Sequence, residues 1–252
     1  MAVELVVDKQ NPGTDEHTWL SASQLSGLTR LREMRPRRLV VVAPHPDDEV
    51  LGFGGLLQNM TRAGVEPVLI AVTDGEASHP SERTSGQDLA ATRAIETQVA
   101  LTRLGCGSAR VERLGFADGS VADRCHDLTD RLRGLLEPDD LCVAPWRRDG
   151  HPDHDATGLA AASAARSTRT PILEYLVWAW HWATPASADV PWYRCSRLEL
   201  ERRQVARKRW ATHAFTTQIR PLGPNQDERP LLPDSVLRRF WRPFEVFIEA
   251  ER

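Results

Sequence analysis

Cysteine and lysine are both scarce in this chain of 252 residues. The four cysteines stand far apart and form no C-x-x-C pair, which argues against a disulfide scaffold or a cysteine-based zinc knuckle. Lysine occurs only at Lys9 and Lys208, so nearly all of the positive charge is arginine. At a net charge of -3 this bias does not indicate a phosphate-binding surface, and we expect no nucleic-acid partner.

Long apolar runs are missing as well. No segment approaches the roughly 20 consecutive apolar residues of a membrane-spanning helix, so we expect no membrane partner. Residues 1–13 carry Glu4, Asp8 and Lys9 and lack the basic segment and apolar run of a secretory signal, which predicts a cytoplasmic protein. A hydrophobic content of 41% and a charged content of 27% are ordinary for one folded domain of this length.

The clearest structural signal begins after residue 37. Leu39 to Ala43 is a continuous, mostly β-branched run, typical of a strand buried on both faces of a parallel sheet. Strand-like and helix-like segments then alternate, which predicts an α/β fold: a Rossmann-like, doubly wound, mostly parallel sheet with helices on both faces, in a single domain. Residues 1–34 are predicted to be an N-terminal extension with a helix around 19–34, and residues 35–252 the domain itself.

Several other segments carry a recognisable pattern. Residues 51–62 and 198–212 have helical character, and residues 89–104 predict a helix with Ala91, Ile95 and Val99 on one stripe. Residues 172–182 predict a strand that carries three alternating tryptophans on one face. That face is either core packing or an aromatic platform for a sugar ring or a bulky apolar group. The proline-rich residues 220–243 predict a loop that caps a pocket mouth or contacts another copy in a homo-oligomer.

The two most unusual segments each follow a predicted strand. One is residues 45–49, after the first core strand, and the other is residues 151–155, after the fourth. Parallel sheets gather the loops at the carboxyl ends of their strands, so these two segments can converge although about a hundred residues separate them. Together they hold three histidines and several carboxylates, which are the ligand types of a borderline divalent metal.

A catalytic metal site takes three protein ligands and keeps one position open. His45 leaves the strand end, Asp48 begins the next helix, and His154 comes from the second loop, so these three are the predicted ligands. Zinc suits two imidazoles and one carboxylate, and Fe²⁺, Co²⁺ or Ni²⁺ can occupy the same ligands because selection often reflects availability.

Three further residues in these loops are predicted to act in catalysis. Asp47 is placed to take a proton from water as general base and to return it to a leaving amine. His151 is placed to stabilise the oxyanion of a tetrahedral intermediate, with Asp153 orienting it. These parts together predict amide hydrolysis. Each segment alone also has a structural interpretation, since a His-Pro-Asp turn is often solvated and acidic residues commonly cap a helix start.

At these positions the chain resembles the LmbE-like, or PIG-L, family of N-acetylglucosaminyl deacetylases. The resemblance rests on residues 43–49, Ala-Pro-His-Pro-Asp-Asp-Glu, and residues 151–154, His-Pro-Asp-His, and it spans roughly residues 38–218. Pro44 is a departure from the family's usual Ala-His pair. The resemblance implies a zinc-dependent N-deacetylase domain and the same roles for the metal ligands, Asp47 and His151.

The resemblance also implies residues that contact the substrate. Glu76 is implied to line the pocket, Arg93 to contact the substrate and Asp118 to receive a sugar hydroxyl. From the residues alone, Arg93 and Glu96 could equally form an exposed helix pair, and Asp118 an ordinary turn. Some sugar deacetylases of the family carry a tyrosine just before the second motif, whereas this chain has arginines there, and Arg148 is a candidate for that role.

The predicted substrate is therefore a small N-acylated molecule. The main hypothesis is hydrolysis of an N-acyl group, in the first place acetyl, from an amino sugar or a glycosylated small molecule. The alternatives are an amidase acting on a non-sugar amide in secondary metabolism and a ligand-binding member of the fold that has lost catalysis.

Overall fold

The computed structural model describes residues 13–79, 85–223 and 229–249. Part of the predicted N-terminal extension and part of the proline-rich loop lie outside these residues. The described strands are β1 Thr29–Arg30, β2 Arg38–Ala43, β3 Glu66–Thr73, β4 Arg110–Phe116, β5 Asp140–Pro145, β6 Ile172–Tyr175, β7 Cys195–Glu199 and β8 Phe244–Glu249. The described helices are α1 Glu16–Leu20, α2 Ser23–Ser26, α3 Asp48–Leu51, α4 Gly54–Arg62, α5 Gly86–Leu104, α6 Cys125–Arg133, α7 Pro152–Thr168, α8 Ala179–Trp182, α9 Arg202–Thr212, α10 Thr216–Ile219 and α11 Asp234–Leu237.

The strands of the described residues form one mixed sheet in the order β1-β7-β8-β6-β5-β2-β3-β4. All pairs are parallel except those of β8, which runs antiparallel to both β6 and β7. The predicted α/β class and the mostly parallel sheet are confirmed. The antiparallel strand β8 and its neighbour β7 were not predicted, because the charged residues around them hide the alternation of a strand.

Strand β2 lies between β5 and β3 in the sheet and is buried on both faces, as its apolar run predicts. Leu39, Val41 and Ala43 point into one apolar core, and Val40 and Val42 point into the other. Helices α6 and α7 cover the second core, while α3, α4, α5 and α9 cover the first. The helices therefore lie on both faces, and the loop after β2 emerges between them.

The predicted strand over residues 172–182 is wrong in its second half. Strand β6 ends at Tyr175, and the chain turns into the short helix α8. The cause is the buried carboxylate of Asp149, which accepts hydrogen bonds from the backbone N–H groups of Val177, Trp178 and Ala179 at 2.9–3.0 Å. These bonds replace a strand ladder with a turn, so the three tryptophans do not share a face.

Helix α5 forms where it was predicted, but a different face of it packs in the core, the face that carries Ala100, Leu101 and Leu104. Ile95 and Val99 of the predicted apolar stripe are 66% and 38% exposed, whereas Arg93 and Glu96 are buried. The polar residues turn inward because their partners are inside: Glu96 accepts hydrogen bonds from the side chains of Thr216 and Thr217 at 2.6–2.7 Å. The reading of Arg93 and Glu96 as an exposed pair is therefore wrong.

Three other element boundaries differ from the predictions. The helix predicted over 19–34 is replaced by α1, α2 and the edge strand β1, which pairs with β7. The helix predicted over 51–62 is broken at residues 52–53, where a Cβ on Gly52 would lie 2.3 Å from the ring of Tyr175. The helix predicted over 198–212 begins at Arg202, after β7. No helix among the described residues is both long and apolar enough to cross a membrane.

One ion pair is fully enclosed beneath α4. Lys208 of α9 lies 2.6 Å from Glu245 of β8, and both side chains are 2% exposed. Glu245 also accepts hydrogen bonds from the backbone N–H groups of Gly55 and Leu56, so it joins β8, α4 and α9. Removal of one member of a buried pair leaves a charge without compensation, which costs more than the pair contributes.

We expect Lys208→Met to lower the free energy of unfolding by about 3 kcal/mol, because it leaves the Glu245 carboxylate buried without its cation. Denaturant unfolding measures this change. Arg35→Met, which removes a cation from an exposed pair with Glu33, is the matched control and should change stability by less than about 0.5 kcal/mol. An equally small effect of Lys208→Met would show that the backbone donors alone stabilise Glu245.

Candidate metal centre and active site

The first loop of the site leaves β2 in a tight and strained turn. Asp47 has φ 118° and ψ -31°, a backbone conformation that non-glycine residues rarely adopt and that costs free energy. The turn brings His45 and Asp48 together: Asp48 Oδ2 accepts a hydrogen bond from the backbone N–H of His45 at 3.0 Å. Such strain persists only where surrounding contacts enforce it, and it points to a functional constraint.

The second loop follows β5 and ends at the start of α7. His151 is the N-cap residue of this helix, and Pro152 occupies its first turn, where its missing N–H carries no cost. One turn later, His154 points back into the crevice and is fully buried. The two loops meet as predicted, since β5 and β2 are neighbours in the sheet.

Three side chains at this meeting point fit a metal ion. Donor atoms of His45, Asp48 and His154 all lie within 4.8 Å of one another. Asp48 Oδ2 is 3.3 Å from His154 Nε2 and 3.6 Å from His45 Nδ1. Tetrahedral zinc with bonds of about 2.1 Å separates its ligands by roughly 3.4 Å. The spacing therefore matches that of ligands sharing one metal ion.

A second group of donors, His45, His151 and Asp153, also lies within this distance. Its donors already have protein partners. Both Asp153 oxygens accept backbone hydrogen bonds, from Gly119 at 2.7 Å and Val121 at 3.0 Å. His151 Nδ1 accepts one from the backbone N–H of Asp153 at 3.2 Å. The first group is therefore the better donor set.

Each candidate imidazole ligand has a carboxylate on its other nitrogen. His154 Nδ1 is 2.9 Å from Asp149 Oδ2, and His45 Nε2 is 3.2 Å from Asp153 Oδ2. Such partners orient a ligating histidine and fix which nitrogen faces the metal. Asp153 was predicted to orient His151: its backbone N–H donates to His151 Nδ1 at 3.2 Å, while its carboxylate faces His45.

The same carboxylates control protonation in the metal-free protein. Burial opposes charge on His154, but Asp48 and Asp149 outweigh it and raise the pKa of His154 to about 9. Burial likewise opposes charge on His45, whereas Asp118, Asp153 and Asp48 raise its pKa well above the usual value. Despite its burial, Asp48 beside His154 has a lowered pKa and remains ionised. Protons thus occupy the positions from which a metal ion would displace them.

Asp47 lies beside the donor set and lines the same cavity. Burial, with the negative charge of Asp48, raises the pKa of Asp47 well above its usual range, and Arg93 opposes this shift. Arg93 Nη2 is 3.4 Å from Asp47 Oδ2 and donates to the carbonyl of Pro46 at 2.7 Å. Glu49 accepts from the Asp47 backbone N–H at 2.9 Å, and burial raises the pKa of Glu49 to about 7. A poised, raised-pKa carboxylate suits proton transfer in both directions.

His151 is placed to donate a hydrogen bond into the cavity. A backbone N–H can only donate, so His151 Nδ1 must accept from Asp153, and in the neutral ring the proton lies on Nε2. Burial and the neighbouring His154 and His45 lower the pKa of His151 to about 3. The ring is therefore a neutral donor, and it stacks on Trp178 with centroids 5.9 Å apart and an interplanar angle of 21°.

The four predicted substrate residues have different surroundings. Asp118 and Arg93 line the cavity, and Asp118 Oδ1 lies 3.2 Å from His45 Nε2. Glu76 lies behind Asp118 and accepts its backbone N–H at 2.9 Å. Arg148 is not brought to the cavity: its side chain is 65% exposed and lies 3.5 Å from Asp189. In this geometry Arg148 cannot substitute for the family's tyrosine without moving.

The cavity over these residues has a volume of ≈ 250 Å³. Its floor is the donor set with Asp47 and His151, and its walls include Trp178, Gln218 and Leu232. Leu231 and Leu232 belong to the proline-rich segment, so the predicted cap over the pocket mouth agrees with this lining. No described contact tests the alternative of an oligomer interface.

Asp149 is the functional residue that the sequence reasoning missed. It is fully buried, pairs with the candidate ligand His154 and holds the backbone of residues 177–179. Its signal in the sequence is its position, two residues before His151 in a loop that follows a buried strand.

Comparisons with known proteins agree with this geometry. The family model described as GlcNAc-PI de-N-acetylase, PIG-L, matches residues 40–165, which is half of the chain and includes both loops of the site.

Two curated relatives have related names. A diacetylchitobiose deacetylase of Thermococcus kodakarensis is 27% identical over 132 residues, covering 51% of this chain and 49% of the relative. A 1D-myo-inositol 2-acetamido-2-deoxy-alpha-D-glucopyranoside deacetylase of Kineococcus radiotolerans is 35% identical over 182 residues, covering 58% of this chain and 50% of the relative. The chain thus spans about half the length of each relative.

Among solved structures, the zinc inhibited form of the teicoplanin deacetylase Orf2 is similar, with a TM-score of 0.59 and 19% sequence identity. The match covers 75% of this chain and 88% of that one. At this identity the likeness shows the shared fold.

We expect His154→Ala to weaken Zn²⁺ binding at least about 100-fold, because loss of a ligand exceeds the 10- to 100-fold effect of losing an outer partner. Competition with a chromophoric chelator measures the affinity. His126→Ala, at a histidine that is 86% exposed on α6, should leave the affinity unchanged. Equal affinities of the two variants would rule out His154 as a ligand.

Metal binding should also depend on pH. Zinc needs the neutral imidazole, and His154 has a pKa of about 9, so protons compete increasingly as the pH falls below that value. We expect the apparent Zn²⁺ affinity to drop at least about tenfold per pH unit between pH 8 and pH 6, as for displacement of one proton. Chelator competition at several pH values measures the slope, and a flat profile would contradict the protonated ground state.

Proposed function

The chain belongs to the GlcNAc-PI de-N-acetylase, or PIG-L, family, and from that premise we propose that it is a metal-dependent hydrolase that removes an N-acetyl group from an amino sugar or a glycosylated small molecule. The observation that carries the proposal is the convergence of a metal-type donor set, Asp47 and the His151 donor in one cavity. The names of the two curated relatives, both deacetylases of acetylated sugars, support the same substrate class.

His45, Asp48 and His154 would hold the metal ion, with Asp153 and Asp149 orienting the imidazoles. When bound there, a divalent metal supplies Lewis acidity, polarising a carbonyl oxygen and making water more acidic. Zinc is the proposed metal, and Fe²⁺, Co²⁺ and Ni²⁺ suit the same donors. Because the similar teicoplanin deacetylase has been solved in a zinc inhibited form, metal dependence is best tested from stoichiometric to excess zinc.

The side chains then have distinct tasks. Asp47 takes a proton from the attacking water as that oxygen bonds to the carbonyl carbon. His151 donates its Nε2–H to the developing oxyanion, and its low pKa keeps the ring neutral for that role. Asp47 returns its proton to the amine nitrogen as the C–N bond breaks. Acetate and a free amine are the products.

Asp118 is proposed to receive a sugar hydroxyl at the cavity wall. Arg93 is proposed to act on both the substrate and the base, because it lines the cavity while its guanidinium contacts the turn at Asp47. Release of amine from a panel of N-acetylated sugars, glycosides and non-sugar amides tests the substrate class. Turnover of non-sugar amides alone would favour the amidase alternative.

We expect Asp47→Asn to lower kcat at least about 100-fold, since an amide cannot accept the proton and general acid–base catalysis contributes that much or more. Its zinc affinity should stay within a few-fold of wild type, because Asp47 is not one of the donors. Amine release and chelator competition measure the two quantities. Asp130→Asn on the exposed face of α6 is the control, and full turnover by Asp47→Asn would refute the assignment of the base.

A further inference from the structure

Apart from Leu231 and Leu232, the loops that follow the strands give the cavity a polar side and an apolar side, and the order of the strands separates them. On the β3–β4 side of β2, the loops contribute Ser78, Asp118 and Gly119. On the opposite side, the segment after β6 contributes Val177 and Trp178. Leu51 at the end of α3 lies on the same side as the segment after β6, since it borders a second, small cavity together with Leu176 and Trp180. We call Leu51, Val177 and Trp178 the apolar wall.

The backbone of Trp178 is held in place by hydrogen bonds, and its ring is only partly buried. Its backbone N–H and those of its two neighbours are bonded to Asp149, and its ring lies against His151. Within the described part of the chain, no acceptor is found for the indole N–H. A partly exposed, preorganised indole beside the reacting groups is a binding surface, since it loses little conformational entropy on contact with a ligand.

The position of His151 orients a bound amide between these two sides. His151 follows β5 and lies between the donor set and Trp178, with ring centroids 5.2 Å from His154 and 5.9 Å from Trp178. When the carbonyl oxygen of a bound amide accepts a hydrogen bond from His151, the amide nitrogen and the acyl chain lie on opposite sides of the C=O bond. If the sugar occupies the polar side at Asp118, the acyl group extends towards the apolar wall.

We propose that the apolar wall binds the acyl part of the substrate and that this enzyme prefers N-acyl chains longer than acetyl. The inference rests on the proposed function and specifies its substrate class. The methyl of an acetyl group covers only a small part of an indole face, whereas a chain of four to six carbons covers much more of it. Each buried methylene contributes about 0.8 kcal/mol, which corresponds to roughly a fourfold change.

The test compares kcat/KM for N-acetyl-, N-butanoyl- and N-hexanoylglucosamine with metal-loaded protein. We expect wild type to gain up to about fourfold in kcat/KM per added methylene. In Trp178→Ala, kcat/KM should fall at least about tenfold on the hexanoyl substrate and less than about threefold on the acetyl one. The kcat/KM of Trp178→Leu on the hexanoyl substrate should lie between those of wild type and Trp178→Ala. Trp210→Ala, at an exposed tryptophan on α9 that does not line the cavity, is the matched control and should match wild type.

Different results overturn different parts. A wild-type kcat/KM that falls from acetyl to hexanoyl overturns the preference for long chains. An equal loss on all substrates in Trp178→Ala overturns the acyl assignment and places the indole against the sugar. If Trp178→Ala does not fold by circular dichroism, the same comparison with Trp178→Leu decides between these outcomes.

A failure of the proposed function has a separate signature, namely that no N-acylated sugar is hydrolysed at any metal loading. Calorimetric binding of N-hexanoyl- and N-acetylglucosamine to Asp47→Asn then decides the inference. Hexanoyl binding that is at least about tenfold tighter, and is lost in Asp47→Asn/Trp178→Ala, supports the apolar wall. Equal affinities overturn it.

Discussion

Buried negative charge at the carboxyl ends of β2 and β5 is the constraint on which the rest of the site depends. Asp48, Asp149 and Asp153 are all less than 2% exposed, and two imidazoles lie between them. Ionised carboxylates at this depth need compensation, which protons on the imidazoles supply in the metal-free state, as the raised pKa values show. A divalent cation would supply the same charge without protons, so the proposed metal would also stabilise the fold that assembles its ligands.

The strained turn at Asp47 is a second consequence of this arrangement. The turn brings His45 and Asp48 to the proposed metal position while Asp47 stays off it. Arg93 enforces the turn from below through the carbonyls of Pro46 and Gly75. The inward direction of Arg93 and Glu96 on α5 has its cause here, because both reach buried polar partners from a helix face that also buries Ala100, Leu101 and Leu104.

The motif residues and the α/β class could be predicted because they depend on local pattern and on one topological rule. An apolar run predicted β2, and the rule that loops gather at strand ends predicted that the two histidine loops meet. The failures have a common origin in distant polar contacts. Asp149 ends β6 from another loop, Glu96 draws α5 inward from residues far along the chain, and Glu245 partners Lys208 across the fold. Periodicity does not encode such partners, so the strand predicted over residues 172–182 and the apolar stripe predicted on α5 were natural misreadings.

Asp149 shows why the metal site and the substrate wall are one structural unit. One of its oxygens serves both His154 and the backbone N–H of Trp178, and the other binds Val177 and Ala179. Any movement of the segment after β6 therefore shifts the carboxylate that orients a metal ligand. A substrate group that packs on Trp178 stabilises this segment, and through Asp149 it stabilises the orientation of His154. Binding energy from a remote part of the substrate can in this way improve alignment at the reacting centre, which is how enzymes convert recognition into rate.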